Sequence, residues 1–436
     1  MRKSLIATAL LGGIWGAPLF AEPLYTEPEF AQPEYAGSGS MAPAPLLAQI
    51  DQTGFKGWLA PLMSKVNQLP EIQAQQAKVR RAQLLVEAAD RPVYNPELGV
   101  SYQNASEDTY TLEVSQTLDW GDKRGVATRV AQLEAEILLA DNRLARSQLY
   151  GELLMALVEQ AQQAKLLAFQ GRLLESAKQQ AAIAKQQLEA GALSQAELQL
   201  MQLDLASKAA DHASAEQASL AADASVLSRF GELELPFAEF IGALSVDTSQ
   251  EVGPDLPALA GAYQQVMMAK LASQQVAADT SADPSISLSA EREGEENKLG
   301  VGLSIPIQIR NDYREAKAAA GTQVAIAEQD YLARERSLTQ AAKLFHLSLP
   351  RLQQRYREWR ELVLTSGAGV QDALSQQWRA GDISTSDYLQ GQRQLANSYL
   401  AGLSLESALY RSWLDWMGQS GQLENYLQRQ LGREGV

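Results

Sequence analysis

The chain contains no cysteine, and only two histidines, His212 and His346, occur in its 436 residues. Without cysteine there can be no disulfide, no thiolate metal site and no N-terminal cysteine to carry a lipid. The two histidines fall in different helical segments, with no metal-ligand spacing around either. No G-x-S-x-G motif and no phosphate-cradling glycine loop is present, so no catalytic, metal or cofactor site emerges and an enzyme is not expected. Positive charge is also short. The formal net charge of −15 argues against nucleic acid as a partner. Aromatic residues make up only 7% of the chain although 46% of it is hydrophobic. Alanine supplies much of that fraction, which favours helices packed closely through small side chains. Beyond the extreme N-terminus no apolar run approaches the ~20 residues that a membrane-crossing helix needs.

The N-terminus itself is informative. "MRK" is a basic start, "SLIATALLGGIWGAPLF" is a short apolar region, and "LFA" precedes "EP". That order is a secretory signal peptide over residues 1–21, cleaved after Ala21. A Pro-rich stretch follows, "EPLYTEPEFAQPEYAGSGSMAPAPL". Proline at this density blocks helix, so 22–56 is expected to be an N-terminal arm without a packed fold.

Two similar halves are expected after the arm. The first, 57–256, reads as a helix over 57–90, a β-hairpin at 97–118, a long helix over 123–189 and a turn at 190–194. A return helix over 194–230 and an irregular segment, 231–256, complete it. The second, 257–418, repeats the order: helix over 257–278, hairpin at 285–307, long helix over 313–379, turn at 380–384, return helix over 384–417. A tail, 419–436, remains. The hairpins rest on alternation. Leu98, Val100 and Tyr102 alternate with Gly99, Ser101 and Gln103, and Tyr110, Leu112 and Val114 with Thr111, Glu113 and Ser115. In the second hairpin Ile286, Leu288 and Ala290 alternate with serines, "REGEEN" turns the chain, and Leu299, Val301, Leu303 and Ile305 face away from Gly300, Gly302 and Ser304.

Each long helix ends at nearly the same phrase, "AGALSQAE" and "AGDISTSD". Gly191 and Gly381 suit a helix C-terminus that needs positive φ. Ser194 and Ser384 suit the N-cap of the following helix, and Glu197 and Asp387 three residues on would close a capping box, aspartate fitting it less well. The phrase is therefore a tight helix-turn-helix made twice. A helix of about 67 residues is about 100 Å long at 1.5 Å per residue, too long to wrap one compact core. The hairpins have one apolar and one polar face and strands of roughly nine or ten residues, the pattern of strands tilted across a bilayer. Four strands cannot close a barrel, and an open edge in lipid is prohibitively costly, but three copies would supply twelve strands.

On these residues the chain resembles the TolC-like outer-membrane factor family. "NPELGVSYQN", "VSQTLDWGDKRG" and "LGVGLSIPIQIRNDYREA" resemble its heavy-metal (cobalt-zinc-cadmium) branch in particular. The resemblance implies a mainly α fold with a transmembrane β-barrel contribution. A homotrimer would close a twelve-stranded barrel in the outer membrane of a Gram-negative bacterium and continue as a long α-helical barrel into the periplasm. Segment 231–256 and the C-terminal tail would lie around its equator. The implied function is a passive exit duct of a tripartite efflux system, served by a periplasmic adaptor and an inner-membrane transporter of RND type. An exit duct of type I secretion and a non-channel periplasmic helical scaffold are the alternatives.

The resemblance also assigns residues. Gly191, Ala192, Leu193 and Ser194, with Gly381, Asp382, Ile383 and Ser384, match the adaptor-docking tip. Asp387 matches an acidic ring at the closed entrance, where three carboxylates would attract cations and raise one another's pKa. The second acid of that ring is replaced by Gln390 and the basic latch residue by Ile383. Trp378 matches the latch aromatic, and its indole N–H is expected to meet Glu197.

Overall fold

The computed structural model describes residues 52–232, 237–245, 252–307 and 309–432. The expected signal peptide, the arm as far as 51, and parts of 231–256 lie outside these residues.

The arm was expected to reach 56, but helix α1 (Gln52–Val66) begins before that. Burial is the reason: Phe55, Trp58, Leu59, Leu62, Met63 and Val66 are all withdrawn from solvent, and the Phe55 ring stacks on Phe240 at 5.4 Å. The single helix expected over 57–90 is two, because α2 (Pro70–Ala89) starts on a proline. Proline sterically drives the residue before it out of the helical region. Leu69 accordingly sits at φ −64°, ψ 139°, and Pro70 takes the first helical position, where its missing N–H costs nothing.

The strands β1 (Glu97–Gln103), β2 (Thr109–Thr117), β3 (Ser285–Glu293) and β4 (Glu296–Ser304) form one antiparallel sheet in the order β1-β2-β3-β4. β1 is shorter than expected. Asn104 donates to Asp108 at 3.0 Å and the Tyr102 hydroxyl donates to the same oxygen at 3.0 Å, closing the loop early. The second turn is tighter than "REGEEN" suggested: β3 runs on to Glu293, and Gly294, at φ 59°, makes the reversal with Glu295.

The helices are α3 (Lys123–Glu189), α4 (Gln195–Phe230), α5 (Pro257–Asp279), α6 (Arg314–Ala380), α7 (Thr385–Ser420) and α8 (Leu423–Gln430). α3 and α6 are each 67 residues long. Each begins after a residue in the left-handed region, Asp122 at φ 55° and Tyr313 at φ 56°. In the first case Asp119 caps the helix, its carboxylate accepting from the N–H groups of Lys123 at 2.7 Å and Arg124 at 2.9 Å.

Composition suggested walls built from small side chains throughout. Instead, many of the bulky residues gather in a main core partway along the long helices, with smaller clusters around Trp378 and Tyr388 and around Phe169 and Tyr399. Tyr150, Leu153, Leu154 and Leu157 of α3 meet Phe345, Leu349 and Tyr356 of α6, and Leu409, Tyr410, Trp413 and Trp416 of α7. Trp58 of α1, Phe240 of the 237–245 segment, and Leu423, Tyr426 and Leu427 of α8 complete it. Polar ties fix the irregular pieces to the helices. The Trp413 indole donates to the Ser245 carbonyl at 3.0 Å, and Arg146 forks onto both carboxylate oxygens of Glu424. Lys165 bridges Glu239 and Glu406. Burial opposes the charge on Lys165, but the two carboxylates prevail and hold its pKa above the usual lysine value.

Candidate functional site

Three places in the chain are built for more than packing, and the first is the sheet. Its registers put Leu98, Val114, Leu288 and Val301 in one row across the four strands, and Val100, Leu112, Ala290 and Leu299 in the next. Every large side chain in these rows is exposed, Leu299 as much as 91%. The opposite face carries Gly99, Glu113, Ser289 and Gly300 in one row and Ser101, Thr111, Glu291 and Lys298 in the next. A continuous apolar face of this extent, backed by a polar one, has no reason to stand in water. Strands of nine residues span about 30 Å at 3.3 Å per residue, enough to cross the hydrocarbon of a bilayer.

The second place is the pair of helix turns. At the first, Gly191 takes φ 74°, the Ala192 N–H returns to the Gln187 carbonyl at 2.8 Å, and the Gly191 N–H bonds Leu188 at 3.0 Å. At the second, Gly381 takes φ 79°, Asp382 bonds Gln377 at 2.8 Å, and Gly381 bonds Trp378 at 3.1 Å. Both are Schellman closures, so the same glycine solves the same problem twice. Ser194 and Glu197 then form the full capping box: the Glu197 N–H donates to Ser194 Oγ, and the Ser194 N–H donates to Glu197 Oε2 at 2.9 Å. The Ser194 hydroxyl, donating to Glu197 Oε2 at 2.6 Å, together with the Ser194 N–H and Thr385, holds the Glu197 carboxyl below its ordinary pKa. At Ser384 the hydroxyl accepts from the Asp387 N–H at 3.1 Å and donates to its carboxylate at 2.7 Å.

The two turns share a small core of Ala184, Leu198, Met201, Trp378, Tyr388 and Leu389, into which Leu193 and Ile383 pack. Gly191, Ala192, Ser194, Gly381, Asp382, Ser384, Asp387 and Gln390 are exposed. The direct Trp378–Glu197 contact is not made. Thr385 stands between them, accepting from the Trp378 indole N–H at 3.2 Å and donating to Glu197 Oε1 at 3.2 Å. The indole lies too deep to reach the carboxylate itself, because it is buried and stacked on Tyr388 at 5.2 Å. No local pattern marks Thr385 as a relay, since a hydroxyl residue at a helix start is ordinary.

The third place lies just below the sheet and was missed altogether. Asp283 is buried and accepts from Tyr94 at 2.7 Å and Ser281 at 2.8 Å, and pairs with Lys123 at 2.7 Å. Burial alone would raise its pKa, but these donors outweigh it and depress the carboxyl to about 2. The cluster ties the linkers before β1 and β3 to the start of α3. Among the described residues no group of side chains is placed to hold a metal ion, and no helix is long and apolar enough to cross a membrane.

An open four-stranded sheet with one exposed apolar face, set on helices of 67 residues that end in two matched turns, is a fold shared with solved outer-membrane channels. Solved structures bear this out. The Campylobacter jejuni CmeC outer membrane channel superposes with a TM-score of 0.64 at 12% identity, over 94% of this chain and 98% of that one. The open state of the Neisseria gonorrhoeae MtrE outer membrane channel gives 0.65 at 13% identity, over 94% and 99%. The Vibrio cholerae outer membrane protein VceC gives 0.64 at 15% identity, over 86% and 96%. By sequence, no family model and no curated protein matches the chain. The likeness is one of fold: mainly α, with long helices and a β-barrel contribution.

Proposed function

We propose that this chain is a TolC-like outer-membrane exit duct, three copies of which close a twelve-stranded barrel in the outer membrane of a Gram-negative bacterium. The observation that carries the reading is the sheet: its apolar face is exposed and its two outer edges are unpaired among the described residues, a combination that lipid and sister copies together resolve. The long helices then extend into the periplasm, and conduction is passive. The partners are a periplasmic adaptor, docking at Gly191–Ser194 and Gly381–Ser384, and an inner-membrane transporter of RND type. The resemblance of the hairpin segments to the heavy-metal branch favours metal efflux as the setting.

Membrane fractionation followed by unheated detergent electrophoresis tests the reading. The protein is expected in the outer membrane as a trimer, and a soluble monomer throughout would end it.

Asp387 extends the proposal to the entrance. Its carboxylate is exposed and meets only its own cap hydroxyl among the contacts described, so it is available to a threefold ring. Asp387→Ala is expected to weaken block of reconstituted channels by added cations. Unchanged block would take Asp387 out of the entrance.

A further inference from the structure

The two halves of the chain make the same hairpin, and the sheet records how one hairpin meets the next. Pro96 and Pro284 open the two hairpins. Within the first, Leu98 pairs with Val114 and Val100 with Leu112; within the second, Ile286 pairs with Leu303 and Leu288 with Val301. β3 is therefore the counterpart of β1, and β4 of β2, with Leu303 standing for Val114 and Val301 for Leu112. The seam between hairpins is β2–β3, where Leu112 faces Ala290, Val114 faces Leu288 and Gln116 faces Ile286. β4 and β1 each keep one backbone edge without a partner among the described residues. Such edges template the addition of another strand, and antiparallel pairing of β4 with β1 continues the alternation of the sheet.

We propose that β4 binds β1 of a second copy of this chain in the register of the internal seam. Val301 then faces the partner subunit's Tyr102, Leu303 the partner's Val100 and Ile305 the partner's Leu98. All three pairs lie on the apolar face, as a one-residue slip would not allow. The pairing also accounts for Ile305, which is exposed just past the end of β4 although its counterpart Gln116 lies inside β2.

The same mapping shows how the subunit seam differs from the internal one. Beneath β2–β3 stand Tyr94, Lys123 and Asp283. Their counterparts beneath β4 and the partner are Ala282, Arg314 and the partner's Asn95. Lys123 and Arg314 correspond because each opens its long helix after a left-handed residue. Arg314 is 79% exposed in the single chain, where Lys123 is 18% exposed and held by Asp283. Arg314 meets its own chain neighbour Glu315 at 3.7 Å, so the subunit seam is a copy of the internal seam without an ion pair across it.

This inference rests on the trimeric duct proposed above, and the test separates the two. The chain has no cysteine of its own, so paired cysteines report cleanly. With a short bis-methanethiosulfonate reagent, which forms a disulfide with each cysteine and releases sulfinate, the Leu303→Cys/Val100→Cys protein in membranes is expected to yield covalent dimers and trimers. Leu303→Cys/Leu98→Cys and Leu303→Cys/Tyr102→Cys, each displaced by two residues, should link several-fold less, because diagonal neighbours lie roughly 7–8 Å apart. Trimers that link best at a displaced pair would overturn the register and leave the duct standing; monomers throughout would overturn both. Asn95→Asp supplies the missing carboxylate and should raise the temperature at which unheated-gel trimers dissociate. An unchanged or lower temperature would overturn the correspondence between the two seams.

Discussion

Trp413→Ala is expected to destabilise the protein by about 3–5 kcal/mol, the cost of emptying the site of a large buried aromatic. Trp413 is 1% exposed and meets Phe240 and Tyr426 edge to face, at 6.5 and 5.1 Å. Its indole N–H also satisfies the Ser245 carbonyl, and an acceptor left unpaired there adds about 1–3 kcal/mol. The loss should fall on the attachment of 237–245 and α8, both of which touch this ring. Thermal unfolding of the detergent-purified protein, followed by circular dichroism, measures it. Trp413→Phe, which keeps a ring but not the donor, should fall between wild type and Trp413→Ala. An alanine variant that unfolds with the wild type would show that this core does not hold the helices together.

Asp283→Ala should cost about 3 kcal/mol, the lower end for breaking a buried pair, because it leaves Lys123 mostly buried without its counter-charge. The wild-type dependence on acid follows from the same group. The folded-state pKa is depressed from 3.8 to about 2, so the contribution is fully present above the unfolded value and is lost as pH falls through about 2. A shift of that size is on the order of 2 kcal/mol. Acid unfolding of the wild type between these values should therefore be steeper than that of Asp283→Asn, which has no such carboxyl to protonate. Identical acid profiles would show that Asp283 is not linked to folding.

The parts of the fold that sequence exposed are those written in short-range chemistry. Alternation across Leu98–Tyr102 and Ile286–Ala290 is visible because one strand face is apolar and the other is not, and the A-G-x-[Leu/Ile]-S phrase is visible because glycine and serine do their work within a few residues. Sequence hid what distance assembles. Phe55 and Trp58, Phe240, and Trp413 and Tyr426 come from three distant stretches of the chain, so their meeting could not be foreseen from periodicity. The start of α1, five residues ahead of the helix expected from 57, was hidden by the proline-rich arm before it. At the turns, cap geometry could be read, but the insertion of Thr385 between Trp378 and Glu197 could not, because it depends on how deeply the indole sinks against Tyr388. The Asp283 cluster joins residues from three separate segments and left no local trace.

On the polar side of the sheet, side-chain size is held down by the fold itself. A methyl group on Gly300 or Gly302 would lie 2.5 Å from the hydroxyl of Ser289 or Ser287. In the proposed trimer that side would line a sleeve without an aromatic shelf, its glycines and short hydroxyls interrupted by Glu113, Glu291 and Lys298. In the duct proposed above, a lining without aromatic rings would offer solutes few flat surfaces to stack on, and discrimination among them would have to lie elsewhere.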